Sequence, residues 1–294
     1  MISKRPDDGD VEELLRGGGR AAWGLAALAV VGAGAGDDAD TLTRSAQALL
    51  GELGLDLDGR EPERARGVDA AATLAQAATV AGGGARGWSA HGDAALRAQG
   101  ESSVTGARAF RTAVLPHMGH LASRLEVPGA RMLDVGTGVA ALAVAYACAF
   151  PHLEVTGIDV LERPLELARD TLLCAGTAVS GRVRLRREDV VELDDSEGFD
   201  LAWVPAPFVG EEALRTGLAR IAASLRPGGW VMVAHARDDG DPLDRAVDRF
   251  RTAAWGGTAL DPAQARAALT LAGLDRPNTL VTPADAPAIT IATR

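Results

Sequence analysis

The stretch MLDVGTGVAA, residues 132–141, sets Gly136 and Gly138 between an apolar run of strand character and an Ala- and Val-rich run of helix character. Glycine at such a junction lets the backbone turn tightly and keeps a Cβ out of a ligand's way, while the free amides at the helix start face the same point. The spacing G-x-G-x-x-A also satisfies the dinucleotide fingerprint. A strand, a glycine turn and a helix in that order predict an α/β domain that binds an adenosine-bearing cofactor.

From Arg131 onward, short apolar strands alternate with helical stretches. RMLDVG, LEVTGID, RVRLRRED, FDLAWVP and WVMVAHA have strand character, and VAALAVAYACAF, RPLELARDTLLCAG and EEALRTGLARIAASL are helical. Such alternation specifies a mainly parallel sheet with helices on both faces. After two further helical runs, DPLDRAVDRFRTAA and PAQARAALTLAGL, the segments NTLVTP and PAITIATR are expected to pair as a hairpin at the sheet edge. The first part differs: VEELLRGGGRAAWGLAALAVV and TLTRSAQALLGELGL are helix-like and joined by Gly- and Asp-rich breaks, with no alternating strand. The expected division is a helical part over residues 1–100 and an α/β part over residues 101–294.

Composition narrows the function classes. The chain has 294 residues, 47% hydrophobic and 24% charged, which is ordinary for a folded protein. A net charge of −10 argues against a protein that lives on a phosphate backbone, because that binding is driven by basic surface. No nucleic-acid partner is expected. Lys4 is the sole lysine, a bias of composition with no functional message. Cys148 and Cys174 form no C-x-x-C pair, so they are expected to be buried reduced thiols rather than metal ligands or a disulfide. The longest uncharged run, Ala21 to Gly36, has sixteen residues, fewer than the roughly 20 that span a bilayer. An acidic start precedes it where a secretory signal would be basic, so a cytoplasmic protein without a membrane partner is expected.

Asp134, two residues before Gly136, separates two cofactors. A dinucleotide would lay its pyrophosphate over the helix start, where a carboxylate adds like charge; S-adenosylmethionine brings a sulfonium and an ammonium, which an acid favours. The competing reading is an Asp that only caps the loop. Asp159 ends the next strand in EVTGIDV, where a carboxylate can accept both ribose hydroxyls of either cofactor. Asp189 ends the third strand in RREDVVEL, within reach of an adenine amino group or as a turn former.

Residues 131 to about 236 resemble the class I, Rossmann-like S-adenosylmethionine-dependent methyltransferases. LDVGTGVA is similar to their first motif, VTGIDV to their ribose-binding acidic loop and REDVVEL to their adenine-side motif, and LRPGGWVMVA resembles the turn and strand after the active-site strand. The resemblance implies an α/β fold with a seven-stranded mixed sheet of order 3-2-1-4-5-7-6, flanked by helices and preceded here by the helical domain. It implies S-adenosyl-L-methionine as cofactor, held by Asp134, Gly136, Thr137, Gly138, Asp159, Val160, Asp189 and Val190. Ala140 departs from it, standing where a third glycine is common.

The family's reactive methyl faces the end of the fourth strand, here WVPAPF. Members that methylate amines or amides carry a polar Asn or Asp there, but this chain has Pro205 and then Ala206. Trp203, Pro205 and Phe208 are therefore expected to wall an acceptor pocket by shape, unless Trp203 is core and the prolines merely end a strand. His235, after the fifth strand, is the best single base candidate, with an exposed loop histidine as the alternative. His117 and His120 in LPHMGH are expected on one face of a helix before the glycine loop, His117 as a second catalytic candidate and His120 as a substrate contact. No metal site is expected from two histidines alone. In the segment over residues 88–110, Arg97 or Gln99 can bind a methionine carboxylate with Ser103 beside them, and Trp88 and His91 are candidate substrate contacts.

The expectation is a methyltransferase acting on a small molecule at O, C or aromatic N, in the setting of specialised metabolism. The helical part would cover the pocket, supply substrate contacts or pair two subunits as a homodimer. Two rivals remain open at this stage: another use of the sulfonium, such as cyclisation of the aminocarboxypropyl arm, and a non-catalytic cofactor-binding protein.

Overall fold

The computed structural model describes residues 8–32, 41–53, 61–82, 86–238, 241–282 and 286–294. The chain divides into two compact units, Met1–Gly82 and Gly83–Arg294. The first unit holds α1 (Asp8–Gly32), α2 (Thr41–Glu52) and α3 (Glu61–Ala81), with α1 packed on both others. Its core is thin: Ala27, Ala46 and Leu50, edged by Leu28, Val30 and Val31. The Gly- and Asp-rich breaks between these helices lie outside the described residues. Among the described residues no helix is long and apolar enough to cross a membrane.

The unit boundary falls at Gly82 rather than near residue 100, because α4 (Asp93–Ala109) belongs to the second unit. Gly100, mid-helix in α4, is the reason. A Cβ there would run into the Val139 side chain, so a glycine, although weak in a helix, lets α4 lie directly on the segment after the glycine turn. Exposed ion pairs tie the same helix to α7 (Glu162–Ala175), Asp93 to Arg163 and Arg97 to Asp170.

After α4 the chain does not form the single helix expected around His117 and His120. It passes through a π-helical turn at Phe110–Val114 and a 3-10 turn at Leu115–His117, then restarts as α5 (Leu121–Leu125). Pro116 has no N–H to extend a helix, and Gly119 turns the chain at φ 53°. Met118 and Leu121 are buried while both histidines are exposed.

The sheet has the order β3-β2-β1-β4-β5-β7-β6. Its strands are β1 (Arg131–Val135), β2 (Glu154–Asp159), β3 (Val183–Arg187), β4 (Phe199–Pro205), β5 (Leu225–His235), β6 (Asp275–Leu280) and β7 (Ala288–Thr293). β7 runs antiparallel to both β5 and β6, giving the expected edge hairpin. Alternate residues of the strands feed two cores. Met132, Val155, Leu201 and Met232 pack with Phe110, Tyr146 and Phe150; Leu133, Ile158, Ala202 and Val231 pack with Leu214, Leu218 and Ile221 of α9 (Glu211–Ser224) and Leu269 of α11 (Pro262–Leu271). Each large side chain buried this way contributes about 1.5–3 kcal/mol. α6 (Ala141–Ala149), the short α8 (Thr177–Ser180) and α10 (Pro242–Trp255) complete the helices.

Both cysteines are exposed, contrary to the expectation of buried thiols. Apolar periodicity placed them in helices without saying which face is inward. α6 buries Leu142, Ala143, Tyr146 and Ala147, and α7 buries Pro164, Leu165, Leu167 and Ala168, so Cys148 and Cys174 fall on the outer sides.

Candidate active site

A cavity of about 390 Å³ opens at the C-terminal ends of β1, β2 and β4. Its floor is the glycine turn. Gly136 and Gly138 adopt φ 65° and 56°, left-handed backbone that admits glycine without strain. Thr137 between them is pinned three ways: its amide donates to the Ile158 carbonyl at 3.0 Å, its hydroxyl donates to Asp134 Oδ2 at 2.7 Å, and its side chain fills the space where Gly157 has no Cβ. Asp134 is 1% exposed and lies behind the turn, outside the cavity lining. Burial pushes its carboxyl up to about 7, opposed by the Thr137 hydrogen bond and assisted by the charge of Asp159.

Asp159 faces the cavity and is held by backbone. Oδ2 accepts the Gly138 amide and Oδ1 the Leu161 amide, both at 2.9 Å. Burial raises its pKa, and the donated amides oppose that rise. With both oxygens fixed, its remaining lone pairs are set toward a diol. Val160 lies beside it, and Asp189 and Val190 form the next strip of wall, Asp189 capping a 3-10 turn by accepting the Val191 amide at 3.1 Å. From α4, Gln99 and Ser103 line the opposite side, Ser103 donating to the Gln99 carbonyl at 2.9 Å. Arg97 turns away to Asp170 at 3.1 Å on the surface and does not line the cavity.

The charged residues of the lining are Asp159, Glu188 and Asp189, and no Arg or Lys is among them. Such a wall favours a cationic ligand and disfavours a pyrophosphate. The Cβ-free turn, the backbone-held carboxylate at the strand tip and the acidic lining fit S-adenosylmethionine, with Gly136, Gly138, Asp159 and Asp189 as the residues that would hold it.

An aromatic wall meets this floor. Trp88 stacks on Trp255 with ring centroids 5.9 Å apart, and Phe208 stands edge-on to both at 5.1 and 4.9 Å. Backbone contacts join the three segments. The Gly87 amide donates to Ala254 O at 2.9 Å, the Thr258 amide to Ala206 O at 2.9 Å, and Gly257 abuts the Pro207 carbonyl where a Cβ would not fit. His91 lies behind Trp88, 7% exposed.

The other expected residues sit elsewhere. Trp203 is half-buried against the core of Met132 and Met232, and Pro205 is a buried strand residue paired with Ala234; neither lines the cavity. His117 and His120 are exposed and outside the lining. His235 is not the exposed loop group weighed above. It is 1% exposed at the end of β5, with Nδ1 2.8 Å from Ala236 O and Nε2 2.8 Å from Thr290 Oγ1, and burial lowers its pKa. Thr290 is in turn bonded to Thr279, and Thr279 to Arg266, so His235 is the inner end of a polar chain in the antiparallel edge. Trp255 and Gly256 line the cavity although sequence reasoning passed over them. The signal available was the WGG tripeptide closing a helix.

Residues 132–229 match the family model described as a methyltransferase domain. Over 156 residues the chain is 45% identical to a release factor glutamine methyltransferase of Deinococcus radiodurans, covering 45% of this chain and 53% of that protein. The chain spans about half the length of the curated relatives it matches. Among solved structures, the mitomycin 7-O-methyltransferase MmcR superposes with a TM-score of 0.63 at 19% identity, covering 98% of this chain and 97% of that one. Human N-acetylserotonin methyltransferase, in complex with S-adenosylmethionine, gives 0.56 at 16% identity with 100% and 99% covered. At these identities the likeness is one of fold. The match of residues 132–229, the sheet order, the glycine turn and the strand-end carboxylate agree with the fold of the class I, Rossmann-like S-adenosylmethionine-dependent methyltransferases, and the site fits S-adenosylmethionine.

Proposed function

We propose that the chain is a methyltransferase that acts on a small molecule held against the aromatic wall. The observation that carries this reading is the single cavity lined both by the glycine turn with Asp159 and by Trp88, Phe208 and Trp255. When bound, S-adenosylmethionine supplies a methyl carbon activated by its sulfonium. The protein's part is positional: Asp159 and Asp189 hold the nucleoside end, and the rings give an acceptor a flat apolar surface to align on, which can contribute several kcal/mol by proximity alone. No histidine is among the lining residues, so the reading assigns no proton transfer to His235 or His117.

The relatives named release factor glutamine methyltransferase suggest a protein amide as the rival acceptor. Against it stands the end of β4, where Pro205 and Ala206 offer no side-chain acceptor for an amide N–H. The N-terminal helices serve, in this reading, as a substrate-covering or homodimer-forming unit.

Calorimetry with S-adenosylhomocysteine tests the cofactor side. Micromolar affinity is expected, and Asp159→Ala should weaken it by more than about tenfold; an unchanged affinity overturns the assignment. Finding S-adenosylhomocysteine rather than methylthioadenosine as product separates methyl transfer from another use of the sulfonium.

A further inference from the structure

The hydrogen bonds that lead from α11 to His235 run one way, because both ends of the chain are fixed. Arg266 Nη1, which only donates, gives to Thr279 Oγ1 at 2.9 Å. At the other end His235 Nδ1 lies 2.8 Å from the Ala236 carbonyl oxygen, which only accepts. Nδ1 therefore carries the ring proton, and Nε2 presents a bare lone pair. Thr290 Oγ1, 2.8 Å from Nε2, must donate to it, and Thr279, 2.8 Å from Thr290, must donate in turn. The chain crosses all three strands of the sheet edge, with Thr279 on β6, Thr290 on β7 and His235 on β5. Thr290 is 0% and His235 1% exposed, so water does not stand in for a broken link there.

A second proton on the ring reverses this order. Nε2–H then donates to Thr290 and Thr290 to Thr279, which has to accept from Arg266 as well while its own proton loses its acceptor. The guanidinium cannot take that proton. Among the described residues, the charged groups acting on the ring are Asp238 after β5, Asp261 at the start of α11 and Arg266 within it. Arg237, next to Asp238, is turned to Thr282. Burial above all opposes a cation on the ring and Arg266 adds to it, whereas the two carboxylates favour one.

We propose that His235 is an acid-sensitive latch for the C-terminal hairpin: neutral, it ties β5 to β7 and β6 through the one-way chain, and protonated, it breaks the chain and loosens the hairpin. By linkage, the latch's contribution is present above 6.5, the value of a free imidazole, and is lost as pH falls through the lowered value of the folded state. None of its residues lines the cavity, so the latch does not depend on what the acceptor is.

Nuclear magnetic resonance on the 294-residue chain tests it. The ring nitrogen shifts of His235 are expected to show the Nδ1–H tautomer at neutral pH and protonation only below 6.5. As the ring protonates, hydrogen-exchange protection of the β7 amides should fall by about tenfold relative to those of β1. Arg266→Gln, whose amide can turn to accept, should let the chain reverse and move the His235 titration upward. Arg266→Lys, which keeps a cation that only donates, should leave it near wild type. An Nε2–H tautomer, or protonation at or above 6.5, overturns the one-way chain. A titration unmoved by Arg266→Gln overturns the part given to Arg266, and β7 protection that persists through protonation overturns the latch. If Arg266→Gln fails to fold, the wild-type tautomer and the β7 amides decide.

Discussion

Gly157 in β2 is glycine because Thr137 occupies the place of its side chain: a Cβ there would stand 2.5 Å from Thr137 Oγ1. Thr137 lies in the turn after β1 and Gly157 within the neighbouring β2, and their contact holds the glycine turn against the sheet. A Gly157→Ala substitution must displace Thr137 from Asp134, leaving a buried carboxyl without its donor. We expect a loss of about 2–3 kcal/mol in urea unfolding and a fall of at least about tenfold in S-adenosylhomocysteine affinity. Wild-type affinity in a folded Gly157→Ala protein would show that the turn does not depend on this contact.

Asp134 makes stability depend on pH with a definite sign. Its carboxyl is raised from 3.8 to about 7 by burial, so the unfolded chain releases the proton first. Between pH about 4 and 7 this group costs folding progressively more, on the order of 4 kcal/mol in all. Below pH 4 both states are protonated and the cost is absent; above pH 7 it is constant. Asp134→Asn keeps an acceptor for Thr137 and removes the titration. The variant should therefore gain stability relative to wild type as pH rises from 5 to 8, and denaturant unfolding at those two values reads the difference. A constant difference would mean that Asp134 ionises normally.

At the opposite end of the sheet, Asp200 is 5% exposed and accepts from Arg124 Nε at 2.8 Å, Arg226 Nη1 at 2.7 Å and the Arg131 amide at 2.8 Å. Asp200→Ala strands these donors, two of them on partly solvated arginines. The expected cost is about 2–4 kcal/mol of stability, with S-adenosylhomocysteine affinity retained at a temperature where the variant is folded. A stable variant with impaired binding would reverse that assignment.

Ala140 adopts φ 60°, the left-handed backbone that glycine takes freely, and is fully buried. Replacing it with glycine relieves about 1–2 kcal/mol of backbone strain and gives up a buried methyl worth about 0.8 kcal/mol. The two nearly offset, so Ala140→Gly should unfold within about 1 kcal/mol of wild type. Ala140→Val adds branching and volume where neither fits and should cost more than about 2 kcal/mol. Equal stability of all three proteins in thermal unfolding would show that this residue is unstrained in solution.

The strands, the edge hairpin and the glycine turn were legible because each follows from local pattern: alternation, apolar runs, and glycine where the turn needs positive φ. Asp159, Asp189, Gln99 and Ser103 line the cavity because each sits at a position the βα pattern or α4 carries to the same sheet edge. Arg97 was legible as polar but not as outward-facing; the Asp170 carboxylate on α7 takes it to the surface. His235 was placed at the right strand end, yet its direction depends on β7, whose Thr290, the register partner of Val233, meets its ring diagonally across the antiparallel pair.

The sequence by itself determined the strand–turn–helix units, their order and the carboxylates at the strand tips, since these depend on residue spacing along one stretch of chain. Only the tertiary structure decided the aromatic wall. Trp88, Phe208 and Trp255 come from three distant segments, brought together by the Gly87–Ala254 and Thr258–Ala206 backbone bonds and by the close approach at Gly257. Long-range backbone pairing of that kind leaves no periodicity in any one of the segments it joins, so it becomes visible only when the chain is folded.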